Sequence, residues 1–292
     1  MKIITAVVNN PIFIEIQYYT LKKYFQGEYE FIVFNDAKAF PDFTNYNDIT
    51  IKSQIEDMCN KLNITCINIP NDNHRNNGCP VIRCADAMNY ILEFQKKNPD
   101  RYLFLDSDMF LIDYFDINKY AQYELAIVLQ SRNNSTINYF WNGLYYFDMT
   151  KMENIELLDW TSCLYCDVGG MMQEWLKMQM KDRPCPSIDE IRWTDNTFHT
   201  NDIYFIKHLW SFTWNINELP KNLQHNTKLI DFLQNDPRIT NEGVYENTNA
   251  NNNIFCEIYD NVFLHYRAGG NWRGEGYDFH KKMAELLKEC LL

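Results

Sequence analysis

Asp106 and Asp108 stand two positions apart, directly after the apolar run Tyr102-Leu103-Phe104-Leu105 and directly before Met109-Phe110. A buried strand that ends this way presents two carboxylates at its carboxyl edge, where open α/β sheets place their ligands. Two unpaired carboxylates beside a core are costly, and a divalent cation would neutralise them. Oxygen ligands of this kind suit Mg²⁺ or Mn²⁺, with substrate phosphates completing the shell. The competing reading is a strand end running into a solvated turn.

His265 closes a second apolar run, Val262-Phe263-Leu264, and opens a segment that continues through Arg267, Gly269, Gly270, Trp272 and Arg273. An imidazole can ligate a metal, the arginines can meet phosphate oxygens, and paired glycines let the backbone approach a ligand. A structural histidine at a strand end is the alternative. Arg83, near the start of an amphipathic helix, can face a diphosphate together with the helix N-terminus, or form an ion pair with Asp86 or Glu93. Asp167, followed by Val168-Gly169-Gly170, can bind sugar hydroxyls, act as a base or cap a helix. Asp195 and Asp202, flanking His199, are weaker versions of the same idea. Trp141, Asn142 and Gly143, inside the aromatic run from Tyr139 to Phe147, can line an acceptor pocket, since ring faces stack on sugars and an amide reads hydroxyls. Cys163 and Cys166 have metal-like spacing but no second pair, which favours buried thiols.

The elements that must carry these groups alternate. Ile3–Val8 reads as a strand, Pro11–Tyr24 as a helix with proline at its start, and Tyr29–Phe34 as a strand. Ile51–Leu62 reads as a helix, Thr65–Ile69 as a strand, Val81–Asn98 as a long amphipathic helix and Arg101–Leu105 as the central strand. Alternation of this kind predicts a Rossmann-like, mostly parallel central sheet flanked by helices. Leu125–Leu129 and Gly143–Phe147 add two strands, with room for an antiparallel member. Gly169–Met180 reads as a helix, Ile203–Trp210 as a strand or short helix, Phe263–Tyr266 as a last strand and Tyr277–Leu291 as a closing amphipathic helix. The polar segments 71–80 and 221–250 read as loops and as candidate lids.

The chain has 292 residues, 46% of them hydrophobic, enough for a sizeable core. Its 39 acidic and 27 basic residues give a net charge of -12, which argues against a general nucleic-acid binder. No apolar run approaches the length of a membrane span, so no transmembrane anchor is expected. Nine scattered cysteines suit a reducing, cytoplasmic setting, at most peripheral to a glycan-assembly site.

Together these residues resemble a GT-A-type nucleotide-sugar glycosyltransferase. The resemblance rests on residues 104–110 as an Asp-x-Asp motif, on Asn142-Gly143 before a strand, and on Asp167-Val168-Gly169-Gly170. It also rests on the late His265-Tyr266 segment with Gly269 and Trp272, similar to an element of the glycogenin-like and galactosyltransferase-like group. That element carries one extra residue before the glycine here and lacks the Lys-Pro. The resemblance implies a GT-A-like single domain. Residues 1–150 would form the nucleotide-sugar-binding half. Residues 151–292 would form the acceptor-side half with the C-terminal metal and diphosphate element, continuous with the first. It implies that Ala6, Val7, Val8, Asn35 and Asp36 hold the base or ribose, and that Ser107, Arg83, Arg267, Gly269 and Gly270 assist at the donor. Asp106 would lie near ribose and metal, with Asp108 and His265 as direct ligands of Mn²⁺ or Mg²⁺ bridging the diphosphate. Trp141, Asn142, Gly143, Asp167 and Gly169 would form the acceptor side. An inverting route would use Asp167 or Asp195 as the base, whereas a retaining route would hold the sugar with one face open to the acceptor on the leaving-group side, and the choice between them stays open. The partners implied are a nucleoside-diphosphate sugar, UDP-linked, and a glycan or glycoconjugate acceptor.

Three rivals differ in testable ways. A haloacid-dehalogenase-like phosphatase would carry its nucleophilic aspartate early in the chain. A sugar-phosphate nucleotidyltransferase would show a Gly-rich basic loop near the first strand. A non-catalytic carbohydrate-binding protein would bind sugar with no metal-dependent nucleotide affinity.

Overall fold

The computed structural model describes residues 1–76, 78–132, 136–181, 183–192, 197–236, 253–269 and 277–292. The chain opens with β1 (Lys2–Val7), α1 (Pro11–Tyr24), β2 (Phe25–Gln26) and β3 (Glu30–Asn35). Then come α2 (Ile51–Leu62), β4 (Thr65–Asn68), α3 (Pro80–Lys97) and β5 (Arg101–Asp106). β-Branched and aromatic residues fill the strands, and proline at the first turn starts both α1 and α3. In space the strands run β4-β3-β1-β5, all parallel. The chain therefore winds outward from β1 through β3 and β4 and returns on the other side of β1 as β5. The carboxyl ends of β1 and β5 flank this topological switch point, the place where such sheets open a crevice.

The middle of the chain supplies β6 (Met109–Leu111), β7 (Phe115–Asp116), α4 (Asn118–Ala121), β8 (Leu125–Arg132) and β9 (Ile137–Asp148). It continues through α5 (Met172–Met180), α6 (Ile188–Ile191), β10 (Phe198–His199), β11 (Ile203–Phe205) and β12 (His208–Leu209). The end supplies α7 (Thr227–Gln234), β13 (Glu257–Tyr259), β14 (Phe263–His265) and α8 (Tyr277–Leu291). The eight-stranded sheet runs β10-β11-β8-β9-β5-β1-β3-β4, with β9 antiparallel to both neighbours. The α/β class and the mostly parallel sheet agree with the sequence. No helix among the described residues is long and apolar enough to cross a membrane.

Four expectations change. The strand expected at Gly143–Phe147 is the twelve-residue β9, because the aromatic run keeps pairing with β8 as far as Ile137. The segment expected as one element at Ile203–Trp210 is two short strands in different sheets. Part of the expected loop 221–250 is α7, capped by the Asn226 side chain accepting from Leu229 N–H (3.1 Å) and burying Leu229 and Leu233. Polar composition hid that amphipathic turn. Residues 237–250 of the same segment lie outside the described residues.

The last difference positions the site. A four-stranded antiparallel sheet, β12-β13-β14-β6, stands beside the main one. Its edge strand β6 follows the acidic pair immediately, and its register sets His265 opposite Met109.

Candidate active site

Two residues of β1 and β5, Ala6 and Asp106, pair in register at the switch point. The turn after β5 is pinned from behind by Gln17 of α1, whose amide donates to the Asp106 carbonyl (2.7 Å) and the Met109 carbonyl (3.1 Å). The β6–β14 register then carries an imidazole from far along the chain to this turn. His265 Nε2 lies 3.1 Å from Asp108 Oδ1, and Tyr266 N–H donates to the Asp108 carbonyl at 2.9 Å. Gly269 N–H donates to Asp108 Oδ2 at 2.7 Å. A Cβ at Gly269 would fall 2.5 Å from the Phe13 ring and 2.9 Å from Asp108 Cβ, so only glycine lets this loop close on the aspartate. Arg267 and Ala268, before it, both hold positive φ, 66° and 58°.

One carboxylate oxygen from Asp106, one from Asp108 and a ring nitrogen of His265 all lie within 4.8 Å of one another. Removal from water, and then the charge of Asp108, push the Asp106 carboxyl up to about 7. Burial works to raise Asp108 and Glu257 too. The imidazole between them more than offsets it, and both stay below the usual carboxylate range. The same two carboxylates overcome burial at His265 and raise it to about 10. Two carboxylates and an imidazole offer an O, O, N donor set, so the residues fit a divalent ion.

These groups open into a cavity of about 580 Å³. Of the donor-side residues picked out by sequence, Ala6, Val8, Asp36, Arg83, Ser107 and Arg267 line it, together with the acidic pair and His265. Val7 instead points into the core, fully buried. Asn35 also lies away from the cavity wall, donating to the Lys52 carbonyl (3.0 Å) and accepting from Ala37 N–H (3.1 Å), which makes it a brace for the loop after β3. Neither ion pair weighed as the rival reading for Arg83 forms. Asp86 pairs with Arg75 (2.6 Å), and Arg83 turns to Asp42 (2.7 Å) and the Asp36 carbonyl (3.1 Å).

On the acceptor side Trp141, Asn142 and Asp167 line the cavity. Gly143 and Gly169 do not. A Cβ at Gly143 would fall 2.1 Å from the Trp141 ring, so the glycine is the floor on which that ring lies. The ring in turn stacks on Tyr259 at 5.3 Å and lies 5.1 Å from the His265 ring. Gly169 N–H donates to the Trp160 carbonyl (2.9 Å) behind the wall. Asp167 accepts from Val168 N–H at 2.8 Å, an Asx-type contact at the cavity edge. Asp202 supports β8 through its carbonyl, away from the cavity. Asp195, Gly270, Trp272 and Arg273 lie outside the described residues.

Sequence reasoning missed five contributors. Glu257 lies directly across the β13–β14 ladder from His265, with Oε2 2.8 Å from Nδ1. An acidic residue inside the apolar stretch Ile254 to Tyr259 was the available signal. Phe43 and Thr44, from the loop after β3, line the cavity and carry no such signal. The buried Lys38 and His74 meet Asp36 at 3.2 and 2.7 Å.

No protein-family model matches the chain, and no curated protein matches it. Among solved structures the chain is similar to an active-site mutant of LgtC. The identity is 12% over 54% of this chain and 61% of that one, with a TM-score of 0.35. It is similar also to galactosyltransferase LgtC in complex with donor and acceptor sugar analogues, at 13% identity over 64% of this chain and 67% of that one, TM-score 0.35. A third is the bifunctional glycosyltransferase WbbM in its apo form, at 11% identity over 52% of this chain and 32% of that one, TM-score 0.33. The match thus spans about three fifths of the first structure's length.

Proposed function

We propose that this protein is a metal-dependent glycosyltransferase that moves a sugar from a nucleoside-diphosphate sugar, UDP-linked, to a hydroxyl of a glycan or glycoconjugate. The observation that carries the proposal is the meeting of Asp106, Asp108 and His265 at the switch point, within 4.8 Å and open to a 580 Å³ cavity. Asp106, Asp108 and His265 would hold Mn²⁺ or Mg²⁺. When bound, such an ion supplies Lewis-acid stabilisation of charge on a departing diphosphate.

The chain's own groups have separable tasks. Arg267 lines the cavity with a part-exposed guanidinium whose charge it can offer to phosphate oxygens, and Arg83, held by Asp42, borders the same space. Asp36, Ala6 and Val8, at the carboxyl ends of β1 and β3, form the base and ribose end. Trp141, stacked and held against Gly143, offers a rigid face to a sugar ring, Asn142 can read a hydroxyl, and Asp167 is the candidate to accept the acceptor's proton. In this reading residues 1–150 serve the donor and residues 151–292 the acceptor, with His265 returning to the donor. The two halves form one continuous domain, as β6 pairing with β14 across them suggests. Nine free thiols fit a reducing, cytoplasmic setting.

The test is a screen of UDP-, GDP- and dTDP-sugars for Mn²⁺-dependent binding and slow donor hydrolysis. Binding of a UDP-sugar is expected only with the ion present, and loss of it in Asp108→Asn and His265→Ala proteins that keep their circular dichroism. Full affinity in both variants would sink the assignment, and sugar binding without any nucleotide affinity would favour the non-catalytic rival. The anomeric configuration of the product then fixes whether Asp167 acts as a base.

A further inference from the structure

The buried carboxylate of Glu257 has no part in the donor set, yet every oxygen contact it makes serves the wall around His265. Oε2 sits 2.8 Å from His265 Nδ1 and accepts a hydrogen bond of 2.8 Å from the Tyr259 hydroxyl. Oε1 accepts from Ser211 N–H at 3.2 Å and lies 3.9 Å from Arg267 Nε. Arg267 is held on its other side by Ser211 Oγ, 2.7 Å from Nη1, and by the Phe255 ring, 4.9 Å away. Glu257 thus touches both groups that β14 and its loop bring to the cavity.

We infer that Glu257 is a positioning residue. It holds the His265 ring through Nδ1–H, so that once an ion takes the place of the Nε2 proton the Nε2 lone pair serves the Asp106–Asp108 pair, and it orients Arg267 beside it. The inference rests on the metal-dependent reading of the same site. An imidazole that ligates through one nitrogen needs the other to carry the proton, and a carboxylate accepting from that N–H selects the tautomer, holds the ring and raises its basicity. Here the ladder enforces the pairing, since Glu257 and His265 are direct cross-strand partners. The Tyr259 hydroxyl and Ser211 N–H fix the carboxylate in turn, so the chain builds the support before any ion arrives. A merely structural carboxylate would stabilise the hairpin and leave the ring's tautomer alone.

The experiment is a Mn²⁺ titration of the full chain, followed by quenching of tryptophan fluorescence and by electron paramagnetic resonance. It compares the natural protein with Glu257→Ala, Glu257→Gln and His265→Ala. Long-range ¹H–¹⁵N spectra of the Mg²⁺-loaded proteins report the His265 tautomer. Expected is a loss of Mn²⁺ affinity of about 10- to 100-fold in Glu257→Ala, with the proton no longer confined to Nδ1. Partial recovery is expected in Glu257→Gln, whose amide oxygen can still accept from Nδ1–H. This variant also carries the test if the alanine protein does not fold. If the natural protein binds Mn²⁺ and His265→Ala weakens it, but both Glu257 variants match the natural affinity and tautomer, the inference on Glu257 falls and the metal site stands. If the natural protein binds no Mn²⁺ at all, the metal-site reading falls and takes the inference with it.

Discussion

Two charged networks face the same cavity, and they differ in how they are balanced. On one wall Asp36 and Asp42 meet Lys38 and Arg83, with His74 as a further partner of Asp36. All five are nearly inaccessible, Lys38 completely so. Two carboxylates answer two permanent cations, and the chain completes the network itself. On the other wall Asp106, Asp108 and Glu257 face one imidazole and Arg267, whose side chain is 36% exposed. Three carboxylates against one buried cation leave negative charge standing; burial first, and then the charge of Asp108, push Asp106 up to about 7. The first network is finished architecture. The second is open by one cation.

Neutralising one charge on each wall should separate the two most widely. Arg83→Met leaves Asp42 buried without its guanidinium, a loss of about 3–5 kcal/mol in urea unfolding. Asp108→Asn, whose amide oxygen can still accept from Gly269 N–H and which leaves His265 paired with Glu257, should cost less stability than Arg83→Met while metal-dependent nucleotide binding falls by more than about 100-fold. If Arg83→Met keeps its stability and loses only binding, the two walls are not different in kind.

Next in size is a stabilisation. In the metal-free protein an Asp106 carboxyl raised above its unfolded value holds its proton after the unfolded chain has released one. That contribution is present below pH about 4 and lost as pH rises through about 7. Asp106→Asn should therefore stabilise the metal-free protein at pH 8 by roughly 1–3 kcal/mol, and give no gain at pH 4. The gain should vanish when the natural protein is saturated with Mn²⁺. A destabilised variant at pH 8 would mean that the carboxylates are already balanced.

A third change acts through packing. Gly143→Ala places a methyl 2.1 Å from the Trp141 ring, which must leave its stack on Tyr259. A loss of about 10-fold in sugar affinity is expected, since overpacking of this kind costs about 1–3 kcal/mol. The quenching of tryptophan fluorescence by Mn²⁺ should weaken with it. Unchanged quenching would show that the ring moves freely.

The asymmetry between the walls also explains what could be read in advance. The β1–β5 half follows from period and punctuation: apolar runs ending in Asn9-Asn10-Pro11 or in Asp106, and amphipathic helices opening on proline. Asp106, Asp108 and His265 were legible because an apolar run carrying a polar group at its end is locally unusual. Their meeting was expected only through the family resemblance, because it depends on the register of β6 against β14 across more than half the chain. Glu257 was hidden for the same reason, since its role exists only through the ladder that faces it to His265. Asn35, Gly143 and Gly169 carried ligand-like residue types and are braces and close contacts instead. Residue type alone does not separate a group that supports a wall from one that forms it.

The smallest effect expected is at Lys38, and it tests the finished network from inside. Burial lowers this amine more than its attraction to Asp36 raises it, so its charge is held at a cost. Lys38→Met would remove that cost, and Asp36 would keep His74 at 2.7 Å and Arg83 Nε at 3.7 Å. The net loss should be no more than about 1 kcal/mol, well below the loss at Arg83, although both residues answer buried carboxylates. His74→Gln alone should be equally mild, because Lys38 remains. Together the two should cost more than their sum, since Asp36 then relies on the distant guanidinium nitrogen. Additive losses in a double-mutant cycle would show that Asp36 does not share its charge among three partners, and the balance ascribed to this wall would have to be redrawn.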